Sequence, residues 1–281
     1  MLKLHELVEN SIQLFSLPDI YFQLRKVLDD KNSSMLDIVT VIKNDPAMTM
    51  RLLRLVNSAF FCFASKIETL DRAINLLGAK QVHDLALSTY VIDSSANIRI
   101  DHSLLESFWY DSLRTAVISR ALAKHCHLID SERLFVAGLL HNVGHLVMYS
   151  QIPEEAEYVA SIANKQNKDL YLIEKTMLGY DYAQIGAGLM REWGLPESLQ
   201  LITANHVEPG NSGIYLLETA IVHVAKTLVA NRDFSEIMDL ISSSIKNIIN
   251  LESADLETIS QESKGQANEI FSLMLPRAKA S

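Results

Sequence analysis

Apolar residues recur at helical spacing along most of the chain, and no segment shows the strict alternation that predicts a half-buried β-strand. Polar residues that favour helix starts stand directly before several of these periodic segments. The predicted starts are Ser34, Asp45 followed by Pro46, Thr69, Ser131 and Asp181. Glycine or proline marks the predicted ends, at Gly78, Pro153 and Gly194. The pattern therefore predicts an all-α fold in which short loops join helices that pack as neighbours.

The helix predicted to start at Ser131 is strongly apolar and reads RLFVAGLLHNVGHLVMYS. One continuous helix would place His141 and His145 on the same face. Zinc proteases use this spacing, but a glutamate that acts as general base follows their first histidine. Asn142 stands there and cannot take up a proton, and Gly144 weakens the turn between the histidines. For His145 alone we therefore favour a core or groove residue over a zinc ligand.

Two polar stretches divide the chain into three helical regions. The stretches are 94–102 and 208–213, the second of which contains EPGNSG. The predicted regions are an N-terminal helical lobe over 1–95, a helical core over 96–209, and C-terminal helices over 210–281 that complete the core. Within the last region, 253–265 is polar and acidic, which is typical of a solvated segment, and EIFSLML predicts a short final helix.

The composition is that of a globular protein and argues against nucleic acid or a membrane as partner. The 281 residues are 48% hydrophobic and 21% charged, and the net charge of −9 opposes contact with phosphate backbones. No apolar run approaches the roughly 20 residues of a membrane helix, and the N-terminus lacks the apolar core of a signal peptide. Cys62 and Cys126 lack metal-ligand spacing and are predicted to be free thiols of a cytoplasmic protein.

Five motifs follow one another along the chain. They are NDPAMTMRLLRLVNSAFF at 44–61, IETLDRAINLLGAKQVHDLALS at 67–88, FWYDS at 108–112, GLLHNVGHLV at 138–147, and GYDYAQIGAGLMREWGLPESL at 179–199. Their sequences and order resemble the HDOD family, the HD-related output domains of bacterial signalling, over about 14–209. The resemblance implies a multi-helical HD-like bundle with an N-terminal helical lobe.

The resemblance also implies which positions correspond to the metal ligands of catalytic HD phosphohydrolases. Those enzymes hold divalent ions that activate water, using an early histidine, a His-Asp pair and a late aspartate. The corresponding residues here are Asp111, His141, Asn142 and Lys226. An amide brings no negative charge, and an ammonium repels a dication. We therefore expect no catalytic residue, no cofactor and no tight metal; at most a divalent ion would bind weakly.

These positions are expected to line a pocket instead. Its predicted members are Asp111, His141, Asn142, His145 and His206. The leading hypothesis is a catalytically silent bacterial signal-transduction protein that binds another signalling protein or a small phosphorylated ligand. The alternative is a metal-dependent phosphohydrolase, similar to a phosphodiesterase, with an altered ligand set.

Two features of the N-terminal region have structural explanations. Asn57 follows an apolar helix and is predicted to cap its end. His83 and Asp84 form a second adjacent His-Asp pair, which we interpret as surface or interface residues because the surrounding helix resembles structural segments of the family.

Overall fold

Helices and the loops between them make up the computed structural model, which describes residues 2–12, 15, 17–96, 98, 100–230, 237, 240–250 and 252–275. Within these residues no β-strand occurs, and the predicted all-α class is confirmed. None of the described helices combines the length and apolar character needed to cross a membrane.

Three of the six N-terminal helices begin at predicted capping residues, and one of these ends at the predicted glycine. They are α1 (Leu4–Ile12), α2 (Asp19–Asp29), α3 (Met35–Lys43), α4 (Pro46–Val56), α5 (Leu70–Leu77) and α6 (Ala79–Ser95). Ser34 forms a reciprocal capping box with Asp37, and Asp45 accepts a hydrogen bond from the first turn of α4. Thr69 caps α5, and Gly78 ends it with a φ of 93° that favours glycine. Helix α1 packs against later helices of the core rather than only against its neighbours.

The core is built around its longest helix, His102–His125, which contacts the helices Ser131–Leu140, Leu216–Val229 and Ser253–Met274. The core helices are α7 (His102–His125), α8 (Ser131–Leu140), α9 (Val143–Gln151), α10 (Pro153–Gln166), α11 (Leu170–Leu178), α12 (Tyr182–Glu192), α13 (Glu197–Asn205), α14 (Leu216–Val229), α15 (Ser243–Ile249) and α16 (Ser253–Met274). Helix α12 packs between α9 and α13. These contacts bring α8, α9, α12, α13 and α14 together at one place, where the candidate site forms.

The predicted continuous helix after Ser131 is wrong, because the chain breaks at His141 and Asn142. His141 ends α8, and Asn142, with a φ of −109° and a ψ of 11°, precedes α9. The break ends one helix and starts another between the two histidines. His141 and His145 therefore belong to different helices and do not share a helical face, which removes the geometric basis of the zinc-protease comparison.

Two glycines on either side of this break allow close contact between helices. A Cβ at Gly138 would lie 2.8 Å from the Ala116 Cα, so α8 approaches the backbone of α7. A Cβ at Gly144 would lie 1.9 Å from the carbonyl oxygen of Tyr182, so α9 approaches α12 even more closely. The sequence interpretation of Gly144 as a weakened turn missed this role: the position requires glycine because no side chain fits there.

Asn57 joins the end of α4 to the loop that follows. Its side-chain amide donates to the carbonyls of Leu53 and Ile67, each at 2.7 Å, and its Oδ1 accepts from the Ile67 N–H at 2.7 Å. The loop between them carries Phe60 to the core, where the Arg120 guanidinium lies 3.9 Å from the ring centroid. Asn57 thus holds a contact between the N-terminal helices and α7, in addition to ending α4.

The second His-Asp pair is buried among the N-terminal helices and does not lie on the surface. His83 and Asp84 are 8% and 7% exposed, and His83 Nδ1 lies 3.1 Å from Asp84 Oδ1. The His83 ring also packs against Tyr21, with 5.3 Å between the ring centroids. This pair is an internal contact between α2 and α6.

The polar segment near the C-terminus is helical, unlike the predicted solvated segment followed by a short helix. Helix α16 begins at Ser253 and continues without interruption to Met274. Its buried side chains follow a helical period and include Leu256, Ser260 and Ser263. Small serines at buried positions explain why the sequence did not reveal the apolar face. The division of the chain into the three regions 1–95, 96–209 and 210–281 remains a prediction.

We predict that Gly144→Ala destabilises the protein by at least about 3 kcal/mol, because a methyl group would overlap a main-chain carbonyl that cannot move independently of α12. Gly265→Ala in α16 is the matched control, since a Cβ there has no heavy atom within 4 Å. This control is expected to change stability by no more than about 1 kcal/mol, in the stabilising direction. Urea unfolding of both variants measures the difference, and equal stabilities would contradict the close approach.

Candidate functional site

Tyr182 lies at the centre of the region that contains most of the predicted pocket residues. Its side chain is 2% exposed and belongs to the first turn of α12. The ring stacks on His145 with 3.8 Å between centroids, and the Lys226 ammonium lies 5.3 Å from the ring centroid. Its hydroxyl lies 2.9 Å from His206 Nε2. One aromatic side chain therefore contacts residues of α9, α14 and the end of α13.

Asp181 positions this tyrosine. The Asp181 carboxylate accepts from the Gln184 N–H at 2.8 Å, and the Gln184 side chain accepts from the Asp181 N–H at 3.1 Å. This capping box fixes the first turn of α12, and Glu174 Oε2 accepts from the Tyr182 N–H at 2.9 Å. The predicted helix start at Asp181 is confirmed, and it determines where the Tyr182 ring lies.

Three histidines at the site each have one ring nitrogen committed to a backbone carbonyl. The Nδ1 atoms of His141, His206 and His223 lie 2.6, 2.7 and 2.8 Å from the carbonyl oxygens of Gly138, Thr203 and His206, respectively. A carbonyl only accepts, so each Nδ1 carries the proton and each neutral ring presents Nε2 as an acceptor. For His206 that acceptor is used, because the Tyr182 hydroxyl donates to it.

Burial keeps these histidines neutral. His206 is fully buried, His141 is 4% exposed, and their rings meet edge to face with 5.1 Å between centroids. Burial, with a smaller contribution from the Lys226 ammonium, lowers the pKa of His141 to about 3. Burial also lowers the pKa of His206 and of His223, with Lys226 again contributing. The site therefore contains uncharged imidazoles beside one cationic lysine.

Lys226 is partly buried on α14 and faces Tyr182. Burial lowers its pKa to about 8, and the carboxylates of Asp169, Glu174 and Asp181 act in the opposite direction. Among the described residues, no hydrogen-bond acceptor or carboxylate lies within bonding distance of its ammonium. At neutral pH this lysine is a positive charge without a direct partner in the described part of the chain.

The other two positions implied by the resemblance lie at α7. Asn142 Oδ1 lies 3.0 Å from the hydroxyl of Ser112, which is fully buried. Asp111, one residue earlier, is exposed and forms no hydrogen bond or ion pair with the described histidines or Lys226. Partial burial raises the pKa of Asp111, and Arg114 lowers it. The residue of α7 that contacts Asn142 is thus Ser112 rather than Asp111.

His145, which stacks on Tyr182, also lies beside an acid. Its Nε2 is 3.4 Å from Glu174 Oε1, and Glu174 is 1% exposed. That distance suits an ion pair, although its geometry is too poor for a hydrogen bond. His145 therefore lies beside a buried carboxylate, and it is separated from His141 by the break before α9.

The donor set does not fit a catalytic divalent metal. Among the described residues, no three His, Cys, Asp or Glu side chains converge in a way that would hold an ion. The Nε2 atoms of His141 and His223 remain available, whereas His206 Nε2 accepts a hydrogen bond from the Tyr182 hydroxyl. The carboxylates that could offset a dication, Glu174 and Asp181, already bind main-chain N–H groups. We therefore derive no catalytic step through a metal.

Sequence analysis missed three members of the site: Tyr182, Glu174 and His223. His223 and the predicted Lys226 are three residues apart and so share one face of α14. Tyr182 directly follows the predicted helix start at Asp181, which was a usable signal for its position. Glu174 had no signal, because an acid in an apolar helix is ordinarily placed on the surface.

Comparisons with known proteins agree on the fold. The HDOD domain model matches residues 14–209. A solved structure from Shewanella amazonensis SB2B, named for a suspected phosphohydrolase activity, has a TM-score of 0.77 at 24% identity and covers 96% of this chain and 98% of its own. One from Marinobacter aquaeolei VT8, named for a suspected role in signal transduction, has a TM-score of 0.68 at 20% identity and covers 95% of this chain and 61% of its own.

A curated sequence relative also matches, an uncharacterized protein of Treponema pallidum strain Nichols. It is 27% identical over 185 residues, which are 64% of this chain and 35% of the relative. The chain thus spans about a third of that relative's length. At identities below 25%, the structural likenesses show a shared fold and not a shared activity.

We predict that stability falls as the pH drops below about 6.5. The unfolded chain protonates His141 near pH 6.5, but the folded chain resists until about pH 3, so acid favours unfolding by about 1.4 kcal/mol per pH unit in this window. His141→Gln removes this proton linkage. Between pH 7 and pH 5 the free energy of unfolding of the variant should therefore fall by about 2 kcal/mol less than that of the unmodified chain. Urea unfolding at both pH values tests this, with exposed His5→Gln as control. An unchanged difference in His141→Gln would contradict the prediction.

We predict that Tyr182→Phe lowers the free energy of unfolding by about 1–3 kcal/mol, because the fully buried His206 Nε2 would lose its donor. Tyr158→Phe is the control, since that tyrosine is 60% exposed. Thermal and urea unfolding of the two variants provide the measurement. Equal stabilities of the two variants would show that the Tyr182 hydroxyl does not donate to His206.

Proposed function

The chain belongs to the HDOD domain family, and from this premise we propose that it is a catalytically silent bacterial regulatory protein of signal transduction. It would act in the cytoplasm by binding, with the histidine and lysine cluster around Tyr182 as the binding site. The candidates for what it binds are another signalling protein and a small phosphorylated ligand.

The observation that carries this proposal is the positive charge of Lys226 inside the site. Its ammonium lies 5.3 Å from the Tyr182 ring centroid and lowers the pKa of both His141 and His206. A dication at the same place would meet repulsion of several kcal/mol, because the partly buried surroundings screen charges poorly. Asn142 adds no compensating negative charge.

Binding through this cluster is compatible with a regulatory role because the cluster joins several helices. Tyr182 and its partners connect α9, α12, α13 and α14, so a ligand that contacts them would interact with all four helices at once. A ligand that binds two packing arrangements with different affinity shifts the balance between them. An output of this kind requires no chemical step.

We predict that protein purified without chelators contains much less than one Mn, Fe, Mg or Zn ion per chain and does not hydrolyse phosphomonoesters or phosphodiesters when these metals are supplied. Elemental analysis and a phosphoester panel measure both properties. One tightly bound ion per chain, with turnover that disappears in His141→Ala and persists in His127→Ala, would instead establish a metal-dependent phosphohydrolase. His127 is a suitable control because it lies in the loop after α7.

A further inference from the structure

A small cavity opens on the side of α14 that carries Lys226. Its volume is about 170 Å³, and its lining includes Asp169, Tyr171, Val207, His223, Lys226 and Thr227. Pockets for drug-sized ligands usually measure about 300–1,000 Å³. The cavity therefore suits one charged group of a ligand, and the remainder of that ligand would lie at the mouth.

Lys226 brings hydrogen-bond donors without partners among the described residues to the lining of the cavity. The Lys226 ammonium has three N–H donors, and among the described residues none of them meets an oxygen within bonding distance. A partly desolvated ammonium without acceptors is unfavourable. An anionic oxygen entering the cavity would supply what the described protein groups do not.

The nearby buried acids do not take this role because each has other partners. Glu174 accepts from the Tyr182 N–H and lies beside His145. Asp181 accepts from the Gln184 N–H and lies 3.2 Å from Lys175 Nζ. These carboxylates favour the charged form of Lys226 at a distance, but the cation remains open towards the cavity.

His223 distinguishes between a phosphate and a carboxylate as the anionic group. Its Nδ1 donates to the His206 carbonyl, so its Nε2 can only accept while the ring is neutral. Phosphate monoesters have their second pKa near 6, so a protonated oxygen is available at or just below neutral pH. That P–OH can donate to His223, whereas a carboxylate carries no proton to donate.

The rim of the cavity has the opposite charge. Asp169 is exposed, lines the cavity, and lies just before α11 without capping it. Within the described residues its carboxylate forms no hydrogen bond or ion pair. A ligand that carries only negative charge would be attracted by Lys226 and repelled by Asp169. A ligand with an ammonium a few atoms from its phosphate would be attracted by both residues.

Building on the proposed function, we infer that the cavity binds a small amine-bearing phosphomonoester. Its phosphate would contact Lys226 and His223, and its ammonium would face Asp169. The contribution of the exposed Asp169 is small, because solvent screens such pairs to below about 1 kcal/mol. The Lys226 contact is stronger, because charged hydrogen bonds contribute about 1.5–3 kcal/mol.

Isothermal titration calorimetry of the full chain at pH 6.5 tests this inference with three probes: O-phosphoethanolamine, ethyl phosphate, which lacks the amine, and β-alanine, which replaces phosphate by carboxylate. O-phosphoethanolamine should bind about threefold more tightly than ethyl phosphate. Asp169→Asn should remove that preference. Lys226→Met should weaken the binding of both phosphate probes at least about tenfold. Lys165→Met, which changes an exposed lysine, should leave both affinities unchanged.

Several results would overturn the inference. They are phosphate binding that survives Lys226→Met, equal affinity of the wild-type chain for O-phosphoethanolamine and ethyl phosphate, tighter binding of β-alanine, or no binding by any probe at millimolar concentration. Asp169 is exposed, so Asp169→Asn should fold. This variant tests the proposed contact with the ammonium of the ligand even if Lys226→Met fails to fold. A negative binding result does not affect the metal and hydrolysis measurements. Those measurements test separately the proposal that the protein is catalytically silent.

Discussion

The geometry of the site depends on the close approach of two backbones, at Gly144 of α9 and Tyr182 of α12. With no side chain at Gly144, the Tyr182 carbonyl can occupy space that a Cβ would require. This contact fixes α12 against α9, and the Asp181 capping box fixes the first turn that carries the tyrosine ring. The positions of His145, His206 and Lys226 relative to one another follow, because all three contact that ring.

Burial then determines the charges at the site. His141, His206 and His223 each donate a ring proton to a carbonyl, and desolvation keeps them neutral. Lys226 retains its charge at neutral pH because three carboxylates act on it from a distance. The result is one cation among neutral acceptors, an arrangement that favours anions and opposes divalent metals.

Local signals in the sequence predicted much of the fold but less of the site. Ser34, Asp45, Thr69 and Asp181 cap helices as expected, because capping depends on a few adjacent residues. The break at His141 and Asn142 was missed, because the apolar pattern continues across it. The helix start at Asp181 indicated where Tyr182 lies, but its role was missed because its partners come from segments distant in sequence.

The resemblance to HD phosphohydrolases implies that in those enzymes bonds to a metal join several helices of the bundle. Here, direct contacts join the corresponding helices: Asn142 contacts Ser112 of α7, and Tyr182 links His206 to Lys226 of α14. These contacts need no ion. Of these side chains, Lys226 also lines the cavity, so a group bound there would contact a residue that packs against Tyr182. A fold held together by such contacts can keep its shape and still respond to a ligand that binds one packing arrangement more tightly.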